Sequence, residues 1–171
     1  MKIVLLGYMA SGKSSIGKIL SKNLSLRFLD LDDYIVEKEN RSIADLFKEK
    51  GEIYFRRVEH KYLIEILSKD EDFILSLGGG TPCYGNNMEE INKEETISVY
   101  LQGSIPTISK RLVKDKSKRP LVSFLGDEQI TEFVAKHIFE RRPFYEQAKM
   151  TIKIDGKTKE ELTTELEQLL N

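Results

Sequence analysis

Gly7-Tyr8-Met9-Ala10-Ser11-Gly12-Lys13-Ser14 has the residue types and the spacing to hold a polyphosphate, matching G-x-x-x-x-G-K-[ST]. Gly7 and Gly12 permit backbone angles and close approaches that a side chain would block. The loop N–H groups and the positive end of the following helix then face an anion. Lys13 would reach the β- and γ-phosphates, and the Ser14 hydroxyl would ligate Mg²⁺. Apolar Ile3-Val4-Leu5-Leu6 stands directly before the motif, and Ser15-Ile16-Gly17-Lys18-Ile19-Leu20 directly after it. That is strand, loop and helix, the context a phosphate-binding loop needs and a chance glycine turn does not. The chain is expected to bind a nucleoside triphosphate.

Phe28-Leu29-Asp30-Leu31-Asp32-Asp33 is the second stretch with chemistry in it. Alternation along a strand would point Asp30 and Asp32 the same way at its end, where ligands sit in open parallel sheets. Two carboxylates there can serve Mg²⁺ and a substrate hydroxyl, while Asp33 suits the start of the next helix. Helix capping is the competing reading for all three. Phe73-Ile74-Leu75-Ser76-Leu77 runs into Gly78-Gly79-Gly80 where an acidic strand end would make an ordinary metal site, so Asp30 is the better metal partner. The three glycines either let backbone pack against a small ring or form a plain flexible loop. Arg56-Arg57 and Arg141-Arg142 each lie on a helix, where adjacent residues diverge by roughly 100° and cannot both face one site. Glu59 can pair with Arg56 from three residues away, and Pro143 is expected to turn the chain after the second pair. Singly, each pair reads as a solvated helix face.

The elements that must position these groups alternate from end to end, the pattern of an α/β fold with a mostly parallel sheet. Strands are expected near Lys2–Leu6, Arg27–Asp30, Phe73–Leu77, Ile97–Leu101 and Met150–Ile154. Helices are expected near Ser14–Asn23, Asp33–Glu39, Ile43–Lys50, Glu52–Ser68, Met88–Lys93, Pro106–Lys114, Glu128–Gln147 and Thr158–Leu169. Ser42 suits a helix start, Gly51 a break and Pro106 a first helical position. Lys114-Asp115-Lys116-Ser117-Lys118-Arg119-Pro120 reads as a solvated loop or as a lid, which needs a cation to meet phosphates and must exclude water.

The chain's 171 residues suit one domain, and no repeat or linker argues for a second. A net charge of −1 carries no footprint for nucleic acid or an anionic membrane. The single Cys83 excludes an internal disulfide and a cysteine-based zinc cluster, and reads as a small buried side chain. His60 and His137 lie in charged helices and are expected at the surface or its boundary. No secretory signal or membrane span is expected, which makes the cytoplasm the default.

In their order along the chain, GYMASGKSS, FLDLDDYI, RSIADLFKEKGEIYFRRVE, LSLGGGTP, KRPL and ERRPFY resemble the shikimate kinases over the full length. The resemblance implies transfer of the ATP γ-phosphoryl group to the 3-hydroxyl of shikimate, on the route to chorismate and the aromatic amino acids. It implies a three-layer α/β/α P-loop fold with a five-stranded parallel sheet in order 2-3-1-4-5, as a single domain over 1–171. The lid would fall at about 114–127. Ala10, Ser11, Gly12, Lys13, Ser14 and Ser15 would hold ATP, with Arg111 near adenine and Arg119 closing onto the phosphates. Ser14 would bind Mg²⁺ directly and Asp30 through water. Asp32 would bind shikimate hydroxyls and act as the base; Arg56 and Arg141, the first of each pair, would grip the carboxylate; Gly78, Gly79 and Gly80 would line the ring. Lys13, Asp32 and Arg119 would thus be catalytic, in an enzyme that is a monomer with no nucleic-acid or membrane partner. Ala10 departs from the glycine usual in the family, and Tyr8 and Cys83 from its commoner residues. The alternatives are another small P-loop kinase, acting on gluconate or a nucleoside monophosphate, and a nucleotide switch. The switch would read guanine through N-K-x-D, which Asn92-Lys93-Glu94-Glu95 does not complete.

Overall fold

The computed structural model describes residues 1–119 and 121–170; Pro120, the proline of KRPL, lies outside the described residues. Five strands form one parallel sheet in the order β2-β3-β1-β4-β5: β1 (Lys2–Leu6), β2 (Arg27–Asp30), β3 (Phe73–Ser76), β4 (Thr96–Gln102) and β5 (Met150–Lys153). β1 is central, pairing Lys2 with Phe73 on one side and with Thr96 on the other. Ile3, Val4, Leu5 and Leu6 are all fully buried, which is why this strand reads as a continuous apolar run rather than an alternating one.

Among the described residues seven α-helices connect the strands, α1 (Lys13–Leu24), α2 (Leu31–Glu39), α3 (Ile43–Lys50), α4 (Glu52–Leu67), α5 (Asn87–Ile91), α6 (Ile105–Asp115) and α7 (Asp127–Tyr145), and α8 (Lys159–Leu170) follows β5. The β1-to-β2 connection runs toward one edge of the sheet and all later ones toward the other. Right-handed crossovers therefore put α1 on the opposite face from α2 to α7. The packing agrees, with α8 against α1 and α7 against α6.

Local chemistry accounts for most boundaries. Ser42 caps α3 by accepting from Asp45 N at 3.0 Å, and Gly51 separates α3 from α4 at φ 85°. Three expectations are corrected. α2 begins at Leu31, not Asp33, because the Asp30 carboxylate accepts from Asp32 N at 3.0 Å and caps the helix two residues early. Asp32 therefore projects from the first turn of a helix and not from a strand, so alternation is not what aligns it with Asp30. Pro143 does not turn the chain; it sits inside α7, two residues before the helix ends. Pro106 takes the second helical position, since Ser104 caps α6 from before Ile105.

Candidate functional site

The loop from Gly7 to Gly12 leaves the carboxyl end of β1 and enters α1. Gly7 lies at φ 144°, and a Cβ there would stand 2.7 Å from Leu101 O, so no other residue fits against β4. Gly12 lies at φ 96° immediately before α1. Ala10 also adopts positive φ, 63°, a conformation that strains a residue with a Cβ. The alanine in place of glycine therefore holds strain in the loop.

Around this loop lies a cleft of about 590 Å³ lined by the loop, Asp30, Asp32, Ser76, Arg111 and Arg119, with Lys157 to Lys159 on its far wall. Lys13 is buried, and its Nζ donates to Gly7 O at 2.8 Å and Tyr8 O at 3.0 Å. Burial pulls its pKa down to about 8, against the pull of Asp30 and Asp32, which leaves most of it protonated at pH 7. Ser14 Oγ donates to Asp30 Oδ2 at 2.9 Å and lies 3.3 Å from Ser76 Oγ. Arg111 Nη1 donates to Ala10 O at 3.0 Å, tying α6 to the loop. Ser15 lines the cleft, but Ser11 does not. Ser11 is fully buried, spends its N–H on Tyr8 O at 3.2 Å and turns its hydroxyl toward Lys13, so it braces the loop from behind.

A second cavity of about 350 Å³ adjoins the first and is lined by Arg56, Glu59, Gly78, Gly79, Gly80 and Arg141, roofed by Arg119 and Leu121 and walled by Ile43, Phe47 and Phe55. Arg56 donates to Glu59 at 2.8 Å and lies 3.9 Å over the Tyr84 ring. Glu59 is 1% exposed and also accepts from Thr81 Oγ1 at 2.7 Å, so this buried carboxylate is fully engaged. The three glycines are close-approach residues. A Cβ would meet Asp32 Oδ1 at 3.3 Å from Gly78, Arg141 Nη1 at 3.4 Å from Gly79 and Arg56 Nη2 at 2.7 Å from Gly80. Arg57 and Arg142 point away to solvent, Arg142 pairing with Glu146. The first arginine of each pair faces the cavity, as the resemblance implied, and the helical angle turns the second away.

Asp32 stands where the two cavities meet. Burial, reinforced by Asp30 and Glu59, pushes its carboxyl up to about 6 against the opposing pull of Lys13. Cys83 is half-buried, and burial pushes its thiol up to about 11, which leaves it unreactive at neutral pH. His60 and His137 are half-buried in the middle of α4 and α7, His60 bonded to Asn87 and His137 to Tyr8. Among the described residues, no cluster of three His, Cys, Asp or Glu could hold a metal. Ser14 and Asp30, with one hydroxyl and one carboxylate at the phosphate loop, instead suit an octahedral cation that keeps waters and phosphate oxygens.

Sequence reasoning missed Thr81, Tyr145, the Tyr84 platform and the Lys157–Lys159 wall. Thr81 directly follows the glycines and was within reach of the same argument. The others come from elements whose sequence shows nothing but helix or turn.

The family model for shikimate kinase matches residues 9–171. Shikimate kinase of Flavobacterium psychrophilum is 47% identical over 169 residues, covering 99% of this chain and 98% of that protein. The crystal structure of shikimate kinase from Bacteroides thetaiotaomicron superposes with a TM-score of 0.91 at 33% identity, covering 99% of this chain and 98% of that one. That of the Acinetobacter baumannii shikimate kinase in complex with shikimate gives 0.85 at 32% identity, covering 99% and 92%.

Proposed function

The chain belongs to the shikimate kinase family, and from that premise we propose how its residues divide the work. Its reaction is the ATP-dependent phosphorylation of shikimate in aromatic amino acid biosynthesis. One observation carries the division: Met9, Asp32, Gly78, Gly79 and Arg119 line both cavities. A phosphoryl group leaving a nucleotide in the larger cleft must pass these residues to reach an acceptor in the smaller one.

The nucleotide phosphates occupy the loop from Ala10 to Ser15, with its free N–H groups and the α1 dipole aimed at them. Lys13 exchanges its bonds to Gly7 O and Tyr8 O for phosphate oxygens. Ser14 and, through water, Asp30 would hold Mg²⁺, which when bound would neutralise charge building on the phosphates. Shikimate lies in the smaller cavity with its ring against Gly78, Gly79 and Gly80 and its carboxylate between Arg56 and Arg141. A charged hydrogen bond of this kind is worth about 1.5–3 kcal/mol, enough for two arginines to select an acid. Asp32, ionised above pH about 6, takes the proton from the 3-hydroxyl. Arg119 meets the transferring group from above, and the segment around it, about 114–127, acts as the lid of a single domain. The rest of the catalysis is alignment and charge, which phosphoryl transfer chiefly requires.

ADP release from Mg-ATP, measured with shikimate, AMP and gluconate in separate reactions, tests this reading. Shikimate alone should stimulate release. Stimulation by AMP or gluconate instead would keep the fold and overturn the assignment of the smaller cavity.

A further inference from the structure

The two arginines of the smaller cavity are held in opposite ways. Arg56 is bound to the buried Glu59 carboxylate at 2.8 Å, with Glu52 at 3.8 Å, so its charge is already offset. An incoming carboxylate at Arg56 also meets Glu59, and the attraction and repulsion largely cancel at such short range. Arg141 has no carboxylate within ion-pair distance among the described residues. It is held by neutral groups.

Those groups come from three elements. On α7, His137, Arg141 and Tyr145 are spaced four residues apart and share one face. Tyr8, from the phosphate loop, sets its ring 5.6 Å from the Arg141 guanidinium and its hydroxyl 2.9 Å from His137 Nδ1. Tyr145 is fully buried, donates to Gly79 O at 2.5 Å, and its phenol oxygen faces the same guanidinium. Burial pushes the Tyr8 phenol up to about 12 and Tyr145 higher still, while burial and Arg141 push His137 down. With Cys83 also a neutral thiol, the side chains that hold Arg141 are uncharged at pH 7, and the nearby Lys13 that also bears on it carries the same sign of charge. The Arg141 charge is therefore left for a ligand.

We propose that Tyr8 and Tyr145 are positioning residues that hold Arg141 over Gly79 without neutralising it, making Arg141, rather than Arg56, the group that selects an anionic acid. Arg56, balanced by Glu59, orients the acid through hydrogen bonds. The proposal rests on the placement of the shikimate carboxylate in the smaller cavity. Tyr8 belongs to the nucleotide loop, so acid selection is tied mechanically to the element that holds the phosphates.

The test compares shikimate with its uncharged methyl ester as acceptors, in the full chain with Mg-ATP. In Tyr145→Phe and Tyr8→Leu, KM for shikimate should rise roughly five- to tenfold with kcat within about twofold, as loss of uniform binding requires. KM for the ester should stay unchanged, so the acid-over-ester preference falls by the same factor. Tyr8→Phe, which keeps the ring, should retain more of the preference than Tyr8→Leu. Arg141→Gln should abolish the preference, whereas Arg56→Gln combined with Glu59→Gln, which removes both offsetting charges, should weaken acid and ester alike. A purely structural role for the tyrosines would impair both acceptors equally, and that result overturns the proposal. So does loss of the preference in that paired variant as complete as in Arg141→Gln. If the unmodified enzyme takes acid and ester equally, the carboxylate placement itself fails, and the proposal with it.

Discussion

Asp32 shows how one side chain's surroundings set both its chemistry and its effect on stability. Burial and the neighbouring Asp30 and Glu59 raise its carboxyl from 3.8 to about 6, close enough to neutrality to take a proton and still be ionised in the working range. In the free enzyme, kcat/KM is expected to fall as pH drops through about 6, approaching tenfold per pH unit. Asp32→Asn should bind ATP normally and lose most of the turnover; near-normal turnover would remove Asp32 from the mechanism. Stability carries the opposite sign. Below pH about 4 the carboxyl is protonated in both folded and unfolded chains and contributes nothing. Between about 4 and 6 the unfolded chain releases the proton first, so the wild type loses stability as pH rises, and above 6 the loss is complete. Asp32→Asn should therefore raise the melting temperature at pH 8, by a gain on the order of 3 kcal/mol, and show no gain at pH 3. The acidic pair was visible in the sequence, but its strand-end geometry was not. Asp30 caps α2 and puts Asp32 on a helix, a choice made by one side chain-to-backbone bond.

Among the elements, the glycine turn after β3 decides most about the acid site. The sequence left it open between a flexible loop and a backbone platform. The structure resolves the ambiguity in favour of close approach: the turn is closed by Thr81 N to Gly78 O and Cys83 N to Gly80 O, and Gly78, Gly79 and Gly80 face Asp32, Arg141 and Arg56 in turn. Gly80→Ala would put a Cβ 2.7 Å from Arg56 Nη2. The guanidinium has little room to yield, because Glu59 holds one side and the Tyr84 ring the other. The expected outcome is a rise in KM for shikimate of about tenfold, equivalent to about 1.4 kcal/mol. KM for ATP should not change, which steady-state kinetics with each substrate varied in turn would show. An unchanged KM for shikimate would mean that Arg56 does not bear on the acid. Helices α4 and α7 were legible as helices, and the divergence of adjacent residues said that only one arginine of each pair could face a site, the resemblance supplying which. Their packing partners were not legible, since nothing in α7 announces that Tyr145 reaches Gly79.

For the whole molecule, the sheet order brings the carboxyl ends of β1, β2 and β3 side by side, so that the phosphate loop, the acidic pair and the glycine turn meet. That meeting makes Mg²⁺ removal informative. Chelation by EDTA is expected to reduce turnover by at least about a hundredfold, since charge neutralisation at the phosphates is a main source of rate. Added Mg²⁺ should restore it, and Ser14→Ala should require more Mg²⁺ for half-restoration; turnover that survives chelation would exclude the cation's role. The sequence by itself determined the phosphate loop, the alternation of strands and helices, the divergence within each arginine pair and the family resemblance. These depend on local geometry and spacing, which the order of residues carries directly. Only the tertiary structure decided that Ser11 faces away from the cleft, that Ala10 holds a strained backbone, and that Asp32 and Arg119 stand between two cavities. It also decided that Glu59 offsets one arginine while neutral phenols hold the other. Burial, long-range contact and the summed field of distant charges set these properties, and they exist only once the chain has packed.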